Sequence, residues 1–191
     1  MPDPSAPTLS ARRLPLTGRV LLWAGLVFWL SGCAVPQGGL PVAGVRNLHQ
    51  VDARLFRSAQ PEPGGFDALA QRGIKTVINL RMPGDVLPGE QPAAEAHHMT
   101  YRPMPLPAWH GPTPAQVDKI LALIDSATPP VLVHCRRGAD RTGMIVACYR
   151  IRHDGWTAER ALAEAEEHGM AWVQVGMKSF VEDFARREHA R

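Results

Sequence analysis

The 191 residues carry 21 basic and 18 acidic side chains, a formal charge of +3, and three cysteines. Three arginines and one aspartate fall within the first 32 positions, so beyond them the charge drops to +1. Nothing in the remainder asks for nucleic acid or an anionic surface, and about 145 residues after position 46 suffice for one hydrophobic core. No internal repeat or low-complexity tract interrupts them.

At the N-terminus, Arg12, Arg13 and Arg19 precede an apolar run from Val20 to Leu30. The run is shorter than the roughly 20 residues of a spanning helix and has the proportions of a secretory leader. It ends in Leu30-Ser31-Gly32-Cys33, which resembles the lipobox of bacterial lipoproteins. That resemblance implies a diacylated Cys33 as the new first residue, and Ala34 is similar to the outer-membrane sorting pattern of Gram-negative bacteria. The competing reading is a plain membrane anchor with an incidental cysteine. The expected organisation is a signal peptide over 1–32, a spacer rich in proline and glycine over 33–46, and a folded domain over 47–191. The expected location is extracytoplasmic, tethered by lipid to the membrane, on the periplasmic side of the outer membrane in a Gram-negative cell.

The folded part alternates. Strands are predicted at Leu55 to Arg57, Thr76 to Leu80, Thr100 to Met104 and Val131 to His134, from short apolar runs rich in β-branched residues. Helices are predicted at Phe66 to Gln71 with Gly73 as its stop, near Gln91 to His98, and at Pro114 to Ser126. Thr113, Pro114 and Gln116 supply the cap, first-position proline and capping-box residue of that third helix. An apolar helix from Met144 to Ile151 follows, then one from Ala158 to His168 capped by Thr157 and stopped by Gly169, then helical spacing from Trp172 to Phe184 that reads as core packing. This pattern is an α/β fold: three layers, with a central, mostly parallel sheet of four or five strands flanked by helices.

Between the last strand and the helix that follows stands His134-Cys135-Arg136-Arg137-Gly138-Ala139-Asp140-Arg141-Thr142-Gly143. A strand-to-helix junction offers unpaired backbone N–H groups and the positive end of the helix dipole, so an anion belongs there. Gly138 supplies the backbone freedom of a tight loop, and the amides of Arg136, Arg137, Gly138 and Ala139 would bind the anion. A helix N-terminus with neighbouring cations favours the thiolate of Cys135, while Arg141 presents a planar fork matched to two phosphate oxygens. Thr142 can donate its hydroxyl to the Cys135 sulfur, and His134 suits orienting the loop through its ring N–H. Cys148, about 10 Å along the helix from the loop, is beyond disulfide reach and reads as core. No ligand pair has zinc-like spacing, and no metal or cofactor is expected.

These residues resemble the cysteine-dependent phosphatases, which carry His-Cys, five residues, Arg, then Ser or Thr and Gly; the ending Gly-Ala-Asp-Arg-Thr-Gly is most similar to bacterial and fungal dual-specificity and atypical tyrosine phosphatases. The likeness continues in Leu55-Phe56-Arg57-Ser58-Ala59-Gln60-Pro61, in the strand from Gly73 to Arg81 and in the helix after Gly155-Trp156, covering roughly 48 to 185. It implies hydrolysis of phosphate monoesters, on a phosphorylated protein or a small phosphate ester, through a phosphocysteine intermediate. Phosphatases of inositol phosphates, phosphate-binding pseudoenzymes and rhodanese-type sulfurtransferases are the alternatives.

One part of that family's machinery is missing. The loop after the third strand, Met104 to Pro112, contains no carboxylate where a general acid is expected. Asp140 within the loop is the favoured substitute, with Asp85 and His110 as the others. Asp140 has a structural alternative, accepting hydrogen bonds that hold the loop. Arg81, at the carboxyl end of its strand, is either a second phosphate contact or a salt-bridge partner, and Arg57 and Gln60 share that status.

Overall fold

The computed structural model describes residues 42–109 and 111–190. The leader, Cys33 and His110 lie outside the described residues. Among those described, no helix is long and apolar enough to cross a membrane.

The elements in chain order are β1 (His49–Gln50), β2 (Leu55–Ala59), α1 (Gly65–Gln71), β3 (Thr76–Asn79), a 3-10 turn (Pro83–Asp85), α2 (Glu90–Ala96), β4 (Thr100–Pro103), α3 (Pro114–Ser126), β5 (Val131–Cys135), α4 (Asp140–Asp154), α5 (Ala158–Glu167) and α6 (Val175–His189). The five strands form one sheet in the order β1-β2-β5-β3-β4. All neighbours are parallel except the β1–β2 pair. The expected mostly parallel sheet is therefore present, with a two-residue antiparallel edge added that is too short to leave a periodic trace in sequence.

Alternate strand residues feed two cores, which is why the central strands read as continuous apolar runs. Leu55, Ile78, Val131 and Val133 pack on one face with residues of α3, α4, α5 and α6. Phe56, Val77 and Leu132 pack on the other with Phe66 and Leu69 of α1 and Ala94 of α2. α4 is buried continuously from Arg141 to Tyr149, as a helix enclosed by a sheet and three other helices must be. Cys148 is fully buried there, and burial pushes its thiol well above the usual range.

Local signals set several boundaries. Gln116 N donates to Thr113 Oγ1 at 3.3 Å and Thr113 N donates to Gln116 Oε1 at 2.9 Å, closing the predicted capping box. Gly155, in the left-handed region at φ 65°, ends α4.

Two expectations are corrected. Val45 is 1% exposed in the α1-side core and Gly44 O accepts from Glu62 N, so packing begins inside the segment read as spacer. Trp172 is 82% exposed and α6 starts only at Val175, whereas Phe180 and Phe184 are buried as expected. A helical apolar spacing fixes which residues share a face, but not how far the helix extends toward its N-terminus.

Candidate active site

β5 ends in Cys135, and α4 begins five residues later at Asp140. The turn between them is held from outside by its carbonyls. Gln60 N donates to Arg136 O at 3.4 Å, Asn47 Nδ2 to Arg137 O at 3.1 Å, and the buried Arg57 Nη2 to Gly138 O at 2.9 Å. In a planar trans peptide the following N–H points opposite its carbonyl, so the amides of Arg137, Gly138 and Ala139 turn toward the other side of the loop. Gly138 makes this possible twice over. Its φ is +70°, and a Cβ there would lie 2.5 Å from Ala59 N.

Beside the loop lies a cavity of about 530 Å³. Cys135, Arg136, Arg137, Asp140 and Arg141 line it from the loop, and Asp85, Ala108, Trp109 and Gln174 from the surrounding segments. Cys135 is only 3% exposed, at the cavity floor. Arg141 is buried at the first turn of α4, and its Nη1 donates to Leu80 O and Leu106 O, each at 3.3 Å. Those two carbonyls fix the plane of the guanidinium and leave Nε and Nη2 without partners among the described residues. The thiol and the fork predicted to converge do converge on one hollow.

The other predicted residues divide. Asp140 lines the cavity, but its Oδ2 accepts from Arg137 Nη2 at 2.5 Å and its Oδ1 from Ala171 N at 2.9 Å. The hydrogen bond from Arg137 also raises the arginine's pKa further. Asp85 faces the same cavity from the 3-10 turn with no side-chain hydrogen bond or ion pair among the described residues. The Thr142 hydroxyl is buried and has no hydrogen-bond partner among the described residues, so the expected bond to the Cys135 sulfur is not formed. His134 does not reach the loop either. Its Nε2 lies 2.9 Å from Glu90 Oε1, at ion-pair distance but without hydrogen-bond alignment, and both groups are buried. Arg81 is buried outside the cavity, on two neighbouring hollows.

Sequence reasoning missed the network behind His134. Glu90, 4% exposed at the start of α2, accepts from Asn79 Nδ2 and from Tyr101 Oη, each at 3.1 Å, and from Gln60 Nε2. Asn79 also donates to Tyr101 Oη at 2.6 Å and accepts from Arg81 N at 2.8 Å. Burial pushes the Tyr101 phenol up to about 12. One signal was visible: Asn79 is a polar residue inside the apolar run Val77-Ile78-Asn79-Leu80, and a buried amide needs partners. Arg57, similarly enclosed, has its pKa lowered to about 10 by burial, although it sits near Glu164 and Cys135.

The match to known proteins agrees with this geometry. Residues 43–183 match the model of a family described as PTP-NADK, a DSP-PTPase phosphatase fused to NAD+ kinase, and the chain belongs to that phosphatase family. It is thus a phosphatase of the dual-specificity and tyrosine phosphatase kind. It is 28% identical over 149 residues to inositol diphosphatase DSP5 of Arabidopsis thaliana, covering 72% of this chain and 69% of the relative. To dual specificity protein phosphatase TpbA of Pseudomonas aeruginosa it is 32% identical over 127 residues, covering 64% of this chain and 55% of TpbA. The core catalytic domain of the PP-IP phosphatase SIW14 from S. cerevisiae superposes with a TM-score of 0.68 at 20% identity, over 81% of this chain and 93% of that one, a likeness of fold.

Proposed function

We propose that this chain hydrolyses phosphate monoesters by cysteine-dependent chemistry, with Cys135 as nucleophile and Arg141 as the phosphate-binding cation. The observation that carries the reading is the loop itself. Three successive carbonyls are drawn outward, which turns the amides away from those partners, and the adjoining hollow is lined by the Cys135 sulfur and the fixed Arg141 guanidinium. In the first step the Cys135 thiolate forms a bond to phosphorus as the ester P–O bond breaks. The amides and Arg141 bind the equatorial oxygens, on which charge develops.

The leaving oxygen takes its proton from Asp85, the cavity carboxyl with no competing partner among the described residues; Asp140, both of whose oxygens accept hydrogen bonds, holds the loop against Arg137 and Ala171. In the second step water attacks phosphorus, its proton returns to Asp85, and the P–S bond breaks to regenerate thiolate. Rapid mixing with p-nitrophenyl phosphate is expected to trap a phosphorylated protein that is absent in Cys135→Ser. Turnover persisting in Cys135→Ser would overturn the reading.

Two substrate classes have support. TpbA is named a dual specificity protein phosphatase and DSP5 an inositol diphosphatase. The guanidiniums of Arg136, Arg137 and Arg141 at one mouth favour a polyanionic phosphate ester, such as an inositol phosphate, over an isolated neutral-flanked phosphopeptide. For the N-terminal segment, the lipobox-like Leu30-Ser31-Gly32-Cys33 supports an extracytoplasmic enzyme anchored through Cys33. Mass spectrometry of protein isolated from membranes is expected to find a diacylated N-terminal Cys33. An unmodified residue 1 would remove the anchor.

A further inference from the structure

On one side the rim of the catalytic hollow is apolar and bare. Trp109 lines the hollow and is 72% exposed. A Cβ on Gly176 would lie 3.7 Å from Trp109 O, so the segment leading into α6 runs along the same rim. That segment is fixed to the hollow's wall at two points. Ala171 N donates to Asp140 Oδ1 at 2.9 Å, and the buried Gln174 lines the cavity. Between and just after those points stand Trp172, Val173 and Val175, all exposed and none of them part of a core.

Large apolar side chains gathered at one exposed rim mark a contact surface. Tryptophan, with an apolar ring and a single N–H, suits the boundary between hydrocarbon and water. The adjoining surface has a matching charge. The catalytic hollow and the one of about 410 Å³ beside it, which share Arg136 and Asp85, are lined together by five guanidiniums and three carboxylates. Of these, Arg46 and Arg136 are exposed and form no ion pair among the described residues. The near-neutral sum over the domain conceals this clustering. The entry of the chain into the fold selects the occupant. Arg46, close to the first described residue, stands on the wall of the second hollow, so the N-terminal segment arrives on the side where the catalytic hollow opens. Upstream of it lie the apolar run Val20 to Leu30 and Cys33.

We propose that Trp109, Trp172, Val173 and Val175, with Arg46 and Arg136 beside them, form a docking face for an anionic phospholipid bilayer, which seats the catalytic hollow against the headgroups. The indole and valine side chains enter the headgroup region, and the guanidiniums pair with lipid phosphates. The choice of a bilayer extends the anchor reading above, and the test separates the two.

Hydrogen exchange measured on the full chain tests the face. The amides of Trp172 and Val173 have no backbone hydrogen bond among the described residues and exchange freely in solution. With vesicles of phosphatidylcholine containing about one-third phosphatidylglycerol, their exchange is expected to slow about tenfold, and with phosphatidylcholine alone much less. Ala127 and Thr128, before the amino end of β5 and so at the far end of the sheet from Cys135, are expected to stay unchanged. Trp172→Ser/Val175→Ser is expected to lose the protection yet hydrolyse p-nitrophenyl phosphate as the wild type does, since neither side chain lines the hollow. If the wild type shows no turnover, the phosphatase reading fails separately, and an equal melting temperature certifies that the variant is folded. Equal protection in the double variant overturns the face, as does slowing that extends to Ala127 and Thr128. Slowing that needs no vesicles and grows with protein concentration assigns the rim to a second copy of the chain and overturns it too. Protection with an unmodified Cys33 removes the anchor and leaves the face standing.

Discussion

At the scale of single residues, the loop depends on one missing atom. Gly138 has φ +70°, and any Cβ would meet the backbone of Ser58 and Ala59, which belongs to β2 and cannot swing aside. Gly138→Ala therefore combines left-handed strain with a clash on a central strand. Strain of this type costs about 1–3 kcal/mol, and relief requires moving the loop off Arg57. The expected result is a lower melting temperature and a fall in kcat of more than tenfold. Wild-type values of both would show that the cradle tolerates a different shape.

The two aspartates separate by leaving group. Asp85→Asn is expected to slow an alkyl phosphate by about 10²- to 10⁴-fold, the usual worth of a general acid, and an aryl phosphate much less, because phenolate leaves without help. Asp140→Asn is expected to weaken the loop's tie to Arg137 and Ala171 and to affect both esters alike. The reverse pattern, with only Asp140→Asn sensitive to the leaving group, would return the acid to the loop.

At the scale of elements, the strand-turn-helix unit was legible because everything that defines it is contiguous. A ten-residue segment contains the nucleophile, the cation, the glycine and the junction, and the capping residues Thr113 and Gln116 likewise sit three apart. What could not be read joins distant elements. Glu90, His134, Asn79 and Tyr101 come from α2, β5, β3 and β4, Gln60 directly follows β2, and no local pattern relates position 90 to position 134. For the same reason, proximity in sequence pairs Thr142 and His134 with the loop, while the three-dimensional arrangement supplies neither contact.

The network has a measurable consequence. Glu90→Gln replaces an acceptor that serves three donors with an amide that brings two more N–H groups among them. Leaving a buried polar group without its partner typically costs about 1–3 kcal/mol. A loss of this order in urea unfolding is expected, with α2 and the carboxyl end of β3 losing hydrogen-exchange protection. Stability within about 0.5 kcal/mol of wild type would show the cluster to be energetically idle.

At the scale of the whole molecule, charges behind the loop couple stability to pH. His168, at the end of α5, has its pKa lowered to about 4 by burial first, and then by the charges of Arg57, His49 and Arg150. The His49 ring lies against it, tilted, at 4.2 Å between centroids, and is lowered in the same sense by burial and Arg57. Between about pH 4 and the ordinary histidine value of 6.5, the unfolded chain holds a proton on His168 that the folded chain refuses. Stability from this residue is thus complete above pH 6.5 and is lost progressively as pH falls toward 4.

Since each tenfold change in proton affinity is worth about 1.4 kcal/mol, the loss for this half-buried ring is on the order of 2–3 kcal/mol. The partly buried His97, raised chiefly by its bond to Ala93 O and by Asp67, acts in the opposite direction. The loss falls where it matters for activity, because Arg57 beside the two rings is the side chain that holds Gly138 O. His168→Gln keeps the carbonyl that accepts from Asn47 Nδ2 and removes the titration. Its melting temperature is expected to decline less than that of the wild type between pH 7 and 4.5, with a smaller loss of kcat at pH 5. Parallel declines in the two proteins would assign the acid sensitivity to carboxylates instead.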